Sequence, residues 1–249
     1  MPTDNNAIIQ SLWVGSRLST MERLAISSFL KCGHTFHLYC YGDVENVPSG
    51  AVRMDAEEIL PASSIFTYQS GSGFGAGSPA AFSNLFRYTL LHERGGWWVD
   101  LDVVCLRYFE FSDARVLATE RTDDRPPQEY MVGSAVMKLP PRDDLMAWLC
   151  REVRQKDLSA LRFGDIGPNL MEVGVERLDY NSYLRPFTFF CPVPYYEWRL
   201  LLEPSRQFAF GASVYAVHLW HAMWNDAGID TDATFDETCL YEQLKRRLL

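Results

Sequence analysis

The N-terminal third alternates strand and helix signals, and that order narrows the fold more than any other feature. Ile8 to Val14 is a short apolar run stopped by Gly15. Ser19-Thr-Met-Glu22 then reads as a capping box, in which side chain and backbone at either end of the first turn satisfy each other's free N–H groups, and the helix it opens stops at Gly33. Phe36, Leu38 and Cys40 next alternate with His37, Tyr39 and Tyr41, the period of two that marks a strand, and Ala51 to Met54 makes a third. A strand that returns through a helix pairs in parallel with its predecessor. The reading is therefore an α/β fold with a central, mostly parallel sheet flanked by helices.

Further on, Ser63 to Pro79 is rich in glycine and serine and reads as a long loop, with Gly71 to Gly77 expected to close over a bound ligand or else to be only a surface insertion. A helix from Ala80 places Phe82, Leu85, Phe86, Leu90 and Leu91 on one broad face and ends at Gly95-Gly96. Trp97 to Leu106 then reads as a single strand. Arg115 to Ala118, Met131 to Lys138, Phe187 to Cys191 and Val214 to Leu219 are the remaining strand candidates. Helices are expected from beyond Pro140-Pro141 to about Lys156, from Pro168, and after a second capping box at Thr234-Phe-Asp-Glu237, where Leu240, Leu244 and Leu248 recur every fourth residue. No repeat or linker divides the 249 residues, so one domain is expected over 1–249.

Acidic residues outnumber basic ones by 32 to 23, a formal charge of -9. That sign excludes a general nucleic-acid binder, which needs Lys and Arg to neutralise phosphates. Any anionic ligand must then be held by a local device such as a metal ion or a few Arg residues. The six cysteines are scattered without a C-x-x-C pair and are expected to be buried free thiols. No run approaches the roughly 20 apolar residues that span a bilayer. A cytoplasmic protein is expected, with any membrane association limited to weak peripheral contact at the inner face.

The chemistry concentrates in Asn84-Leu-Phe-Arg87-Tyr88 and, after the glycine pair, Trp97-Trp98-Val99-Asp100-Leu101-Asp102. In an extended strand Trp98, Asp100 and Asp102 share one face. Two carboxylates so close repel each other unless a cation lies between them, and hard oxygen donors suit Mg²⁺ or Mn²⁺. A plainer alternative is that the pair only solvates a strand end. Its place at the carboxyl end of a parallel strand, where open α/β sheets bind ligands, favours the cation. Arg87, one turn beyond Ser83 and Asn84, is able to reach sugar hydroxyls, phosphate oxygens or Asp100 itself.

Two other classes compete. Asp100-Leu-Asp102-Val-Val104 also fits the nucleophile loop of haloacid-dehalogenase-like phosphatases, with Asp100 attacking phosphorus and Asp102 as acid and base. Such enzymes need a downstream Lys, and Lys is scarce here. An inactive, carbohydrate-binding transferase-like module would instead use Trp198, Trp220 and Trp224 as stacking platforms. Metal-dependent binding of a nucleotide diphosphate separates the classes.

The extended segment resembles the Asp-x-Asp region of GT-A glycosyltransferases, especially glycosyltransferase family 32 and the large clostridial toxin glucosyltransferases. Ser83, Asn84, Arg87, Tyr88, Leu91, Gly95, Gly96, Trp98, Asp100 and Asp102 match the pattern, with Asn84 in place of the usual Asp and Trp98 in place of the usual Tyr. The resemblance implies a single GT-A-like, Rossmann-like domain. Residues 1–110 would form its nucleotide-sugar half, and residues 111–249 the acceptor side and C-terminal helix. It implies a hexosyltransferase using a nucleotide sugar, UDP-linked or else GDP-linked, and a glycan or glycolipid acceptor, as in bacterial surface-polysaccharide synthesis. Retention of anomeric configuration follows from the same resemblance. Trp13 and Val14, with Trp98 and Asp100, would hold the nucleotide. Asn84 and Arg87 would hold the donor sugar. Asp100, Asp102 and His218 would hold Mn²⁺ or Mg²⁺, with His221 as the alternative imidazole. Asp165, before the helix at Pro168, would join Asp100 and Asp102 at the reaction centre, or else simply form a turn.

Overall fold

The computed structural model describes residues 5–69, 74–126 and 128–249. A seven-stranded sheet is built from β1 (Ile8–Trp13), β2 (Thr35–Cys40), β3 (Val52–Asp55), β4 (Gly96–Val99), β6 (Val116–Glu120), β7 (Met131–Leu139) and β8 (Leu184–Arg185). A separate pair joins β5 (Val103–Cys105) to β9 (Ala216–His218). The main order is β3-β2-β1-β4-β7-β6-β8. β1, β2, β3 and β4 run parallel, β7 runs antiparallel to both β4 and β6, and β8 is parallel to β6.

The expected α/β class is what folds, and the reason is visible strand by strand. Trp97 and Val99 of β4 enter one apolar layer with Ile9, while Trp98 enters the other with Leu12. The first layer is closed by α1 (Thr20–Lys31) and α5 (Leu240–Leu248), the second by α2 (Ala80–Arg94), α3 (Asp144–Arg154) and α4 (Pro168–Arg177). A sheet covered on both faces needs apolar residues at every position, so β4 reads as a continuous run. The Ser19–Glu22 capping box forms as expected and starts α1.

Three local expectations are corrected. Trp97 to Leu106 is not one strand. The chain turns after Val99, with Val103 N–H donating to Asp100 O at 3.1 Å, and β5 leaves the main sheet to pair with β9. Phe187 to Cys191 is a tight turn, not a strand. Pro186 has no N–H to offer a ladder, its carbonyl accepts from Phe189 N–H at 2.9 Å, and Phe190 is buried among Trp97, Phe109 and Phe111. The last helix starts at Leu240 with Cys239 at its cap. Asp236 accepts instead from the N–H of Thr238, 2.9 Å away, so the Thr234 box does not form.

All six cysteines are free. Of the predicted loop, residues 70–73, with Gly71 and Gly73, lie outside the described residues. What is described closes on itself through Gly77 N–H to Tyr68 O at 2.8 Å, and Phe74 meets Phe163 edge to face. Among the described residues no helix is long and apolar enough to cross a membrane.

Candidate active site

A cavity of about 780 Å³ opens at the carboxyl ends of β1 and β4, within the size range of small-molecule sites. Its floor is the turn that interrupts the expected strand. Asp100 N–H donates to Ala135 O of β7 at 2.8 Å, and Leu219 N–H donates to Asp102 O at 2.8 Å, so the turn is clamped between the two sheets. Gly95 and Gly96 aim α2 into β4, both with positive φ (65° and 92°). A Cβ on Gly95 would lie 2.5 Å from Pro141 N, so this junction admits no side chain.

Trp98 and Asp100 share a side as predicted, and Trp98 Nε1–H donates to Asp100 Oδ1 at 2.9 Å. Arg87, almost fully buried, holds the same carboxylate. Its Nη1 lies 3.0 Å from Asp100 Oδ1 and donates to Ser134 O at 2.7 Å, while Nη2 and Nε donate to Ser83 Oγ and O. The guanidinium also stacks 4.9 Å from the centroid of the Trp98 ring. Of the targets open to Arg87 in sequence, Asp100 is the one it meets within the protein, and Arg87 also lines the cavity. Asn84 is buried one turn earlier on the cavity wall, its amide against Gly167.

Asp102 faces the opposite partner. Its Oδ2 lies 3.1 Å from His218 Nε2 and accepts from His221 N–H at 2.8 Å. The His221 ring turns away, with Nδ1 at 3.1 Å from Glu22 Oε1, so His218 is the imidazole that meets the Asp pair. Register puts it there, since Val103 pairs with His218 across β5 and β9.

Electrostatics separate the two carboxyls. Burial pushes the Asp100 carboxyl upward against the pull of Arg87. Burial acts on Asp102 too, but the His218 charge and hydrogen bond and the His221 N–H outweigh it and hold its pKa at about 2. The His218 imidazole is correspondingly raised despite burial, chiefly by Asp102. Asp100, Asp102 and His218 all border the cavity and offer oxygen and nitrogen donors of the kind divalent cations take, whereas the three donors that lie within 4.8 Å of one another among the described residues are those of Glu120, Cys191 and His218.

Trp13 and Val14, at the end of β1, line the same cavity. Trp13 is half-buried, and its Nε1–H has no hydrogen-bond partner among the described residues. Asp165 is placed apart. Its Oδ2 accepts from Arg162 N–H at 2.8 Å in the turn before α4, and it is not one of the cavity-lining residues. Gly164, Pro168 and Asn169 of that segment do line the wall.

Several lining residues carry no motif. Glu120 ends β6 as a carboxyl that burial pushes up to about 7, and nothing in its sequence context marks it. Glu22 was legible only as the capping-box acid. It serves that role through Oε2, which accepts from Ser19 N–H at 2.7 Å, while its other oxygen meets His221. Cys191, behind the wall, sets its Sγ 3.9 Å from His218 Nδ1.

Neither a protein-family model nor a curated protein matches this sequence. Solved structures similar to it include the PaToxG glycosyltransferase, at 12% identity over 70% of this chain and 69% of that one, with a TM-score of 0.49. A protein described as a transferase shares 9% identity over 75% of this chain and 89% of its own, with a TM-score of 0.43. The apo-form glycosyltransferase GlyE of Streptococcus pneumoniae TIGR4 shares 9% over 73% of this chain and 45% of its own, with a TM-score of 0.39. These likenesses add nothing to the layering already described.

Proposed function

We propose that the chain is a metal-dependent hexosyltransferase of the GT-A type, taking a nucleotide diphosphate sugar, UDP-linked in preference to GDP-linked, and a glycan or glycolipid acceptor. The observation that carries this reading is the convergence of Asp100, Asp102 and His218, from the ends of two different sheets, on one cavity that also holds Trp13 and Asn84. Residues 1–110 supply the nucleotide-sugar face, and residues 111–249 supply His218 and the acceptor side.

In this reading the face of the Trp13 ring, at the cavity wall, is a platform for the base. Asp100 and Asp102 offer carboxylate oxygens, with His218 beside them, to Mn²⁺ or Mg²⁺. Bound there, a divalent cation neutralises charge growing on the leaving diphosphate. Arg87 opposes the effect of burial on the Asp100 carboxyl and fixes its direction, which makes it a positioning residue. The Asn84 amide faces the donor sugar. Retention of configuration follows the family resemblance, and Tyr68, Phe74 and Phe163 give the cavity an aromatic rim that limits water. Asp165, outside the cavity, acts by shaping the turn into α4. The phosphatase alternative is the less favoured, because among the described residues no lysine lines the cavity.

A panel of UDP- and GDP-sugars, scored for thermal stabilisation and hydrolysis with and without Mn²⁺ or Mg²⁺, tests the proposal. Asp102→Asn, nearly isosteric, is expected to abolish the metal-dependent part of both while keeping the circular dichroism spectrum. Metal-dependent turnover that survives in Asp102→Asn would overturn it.

A further inference from the structure

His218 presents two edges, and only one of them belongs to the Asp pair. Nε2 lies 3.1 Å from Asp102 Oδ2, while Nδ1 lies 3.9 Å from Cys191 Sγ. Glu120 approaches from a third direction. One of its carboxylate oxygens, Cys191 Sγ and a ring nitrogen of His218 all fall within 4.8 Å of one another. These residues come from separate places in the chain, namely the end of β6, the turn after Phe189, and β9.

We infer that Glu120, Cys191 and His218 form a second cation site, built for a borderline-soft divalent ion of the zinc and cobalt class. Four observations support it. The donor set of one thiol, one imidazole and one carboxylate is that of such ions and not of Mg²⁺, which demands oxygen ligands. Asp102 stands behind the imidazole as the carboxylate that commonly orients a metal-binding histidine. The Glu120 carboxylate receives no hydrogen bond or ion pair among the described residues, although it sits against a buried histidine and a buried thiol. The Trp220 ring, centred 3.7 Å from that of His218, packs against the imidazole and limits its movement.

Ligand distances to such an ion are about 2.0–2.3 Å, so each donor closes by roughly half an ångström, within the reach of side-chain adjustment. Three protein donors leave one tetrahedral position unfilled. Glu120 and His218 both line the cavity, so that position opens toward whatever the cavity holds. His218 is common to this site and to the proposed donor site, but Glu120 and Cys191 belong to this one alone, so the inference does not need the glycosyltransferase reading.

The test is Co²⁺ titration of the full chain stripped of metal by a chelator. Thiolate-to-cobalt charge transfer gives a near-ultraviolet band that oxygen and nitrogen ligands do not. The expected result is one band-producing Co²⁺ per chain, displaced by Zn²⁺ but not by excess Mg²⁺. The band is lost in Cys191→Ser and retained in Cys32→Ser and Asp100→Asn, and Glu120→Gln weakens Co²⁺ binding tenfold or more. A folded wild-type protein without the band, or a band that persists in Cys191→Ser, overturns the site. Should Cys191→Ser not fold, Glu120→Gln decides, and Co²⁺ affinity within twofold of wild type overturns it. Retention of the band in Asp100→Asn, together with loss of Mn²⁺-dependent nucleotide binding, separates this site from the proposed donor site.

Discussion

Nη1 of Arg87 lies 3.0 Å from Oδ1 of Asp100, and the same nitrogen donates to Ser134 O at 2.7 Å. Helix α2, strand β7 and the turn after β4 are thereby tied at one buried cation. The carboxylate is held in place before any ligand arrives, which lowers the ordering cost of binding.

Arg87→Ala should therefore act first on stability. It leaves Asp100 partly buried without its cation and removes several charge-assisted hydrogen bonds, a loss of about 2–3 kcal/mol. Arg87→Lys should recover only part of this, because a single ammonium cannot reproduce the forked contacts to Ser83, Ser134 and Asp100. Urea denaturation measures both. A loss below about 0.5 kcal/mol for Arg87→Ala would mean that the network is not stabilising.

Trp13→Ala should weaken nucleotide binding by about 1–3 kcal/mol if the indole stacks on the base, by analogy with aromatic stacking on single-stranded nucleic acid. Calorimetry with UDP and Mn²⁺ gives the number. Unchanged affinity in a folded variant would assign Trp13 to the core it partly packs against.

Gly95→Ala and Gly77→Ala form a contrasting pair. Both glycines have positive φ, 65° and 80°, but a Cβ on Gly95 meets Pro141 N at 2.5 Å, whereas nothing lies within 4 Å of one on Gly77. Gly77→Ala carries only the left-handed backbone cost, about 1–2 kcal/mol. Gly95→Ala adds a clash with main chain and should exceed it by a further 1–3 kcal/mol or so. Equal melting temperatures in the two variants would contradict this.

Acid sensitivity should carry a signature of Asp232. Its Oδ1 accepts from the Thr20 hydroxyl and N–H, each at 2.6 Å, at the start of α1. The Thr20 hydroxyl bond is the main cause of a carboxyl held below its usual range. A folded pKa below the unfolded one gives stability that is present above the unfolded value, about 3.9, and is lost as pH falls through the folded value. Asp232→Asn should lower stability at neutral pH and flatten the acid limb below about pH 4. Urea midpoints of both proteins from pH 7 downward check this, and parallel curves would count against it.

Local signals were enough for much of the fold. The capping box at Ser19 and Glu22, the alternation of Phe36, Leu38 and Cys40, and the Gly95-Gly96 stop each depend on neighbours within a few residues, so the chain's own order specifies β1, α1, β2 and α2. The Asp-x-Asp pair stood out in the sequence by residue type and spacing and His218 by the family resemblance, and the structure brings Asp100, Asp102 and His218 to one cavity.

What the tertiary structure decided are matters of partnership between distant residues. No local pattern says that the chain leaves the main sheet at Asp100. That turn exists because Ala135 and Leu219, from β7 and the end of β9, hold its two ends. Register across β5 and β9 then set the His218 ring, and not that of His221, beside Asp102, and packing brought the Arg87 guanidinium onto Asp100. Asp165 looked like a site residue but was taken up by Arg162 N–H, while Glu120 and Cys191, which no motif marks, came to lie around His218. Hydrogen bonding and charge act over a few ångströms in space, and only the closed sheets set which residues are that near.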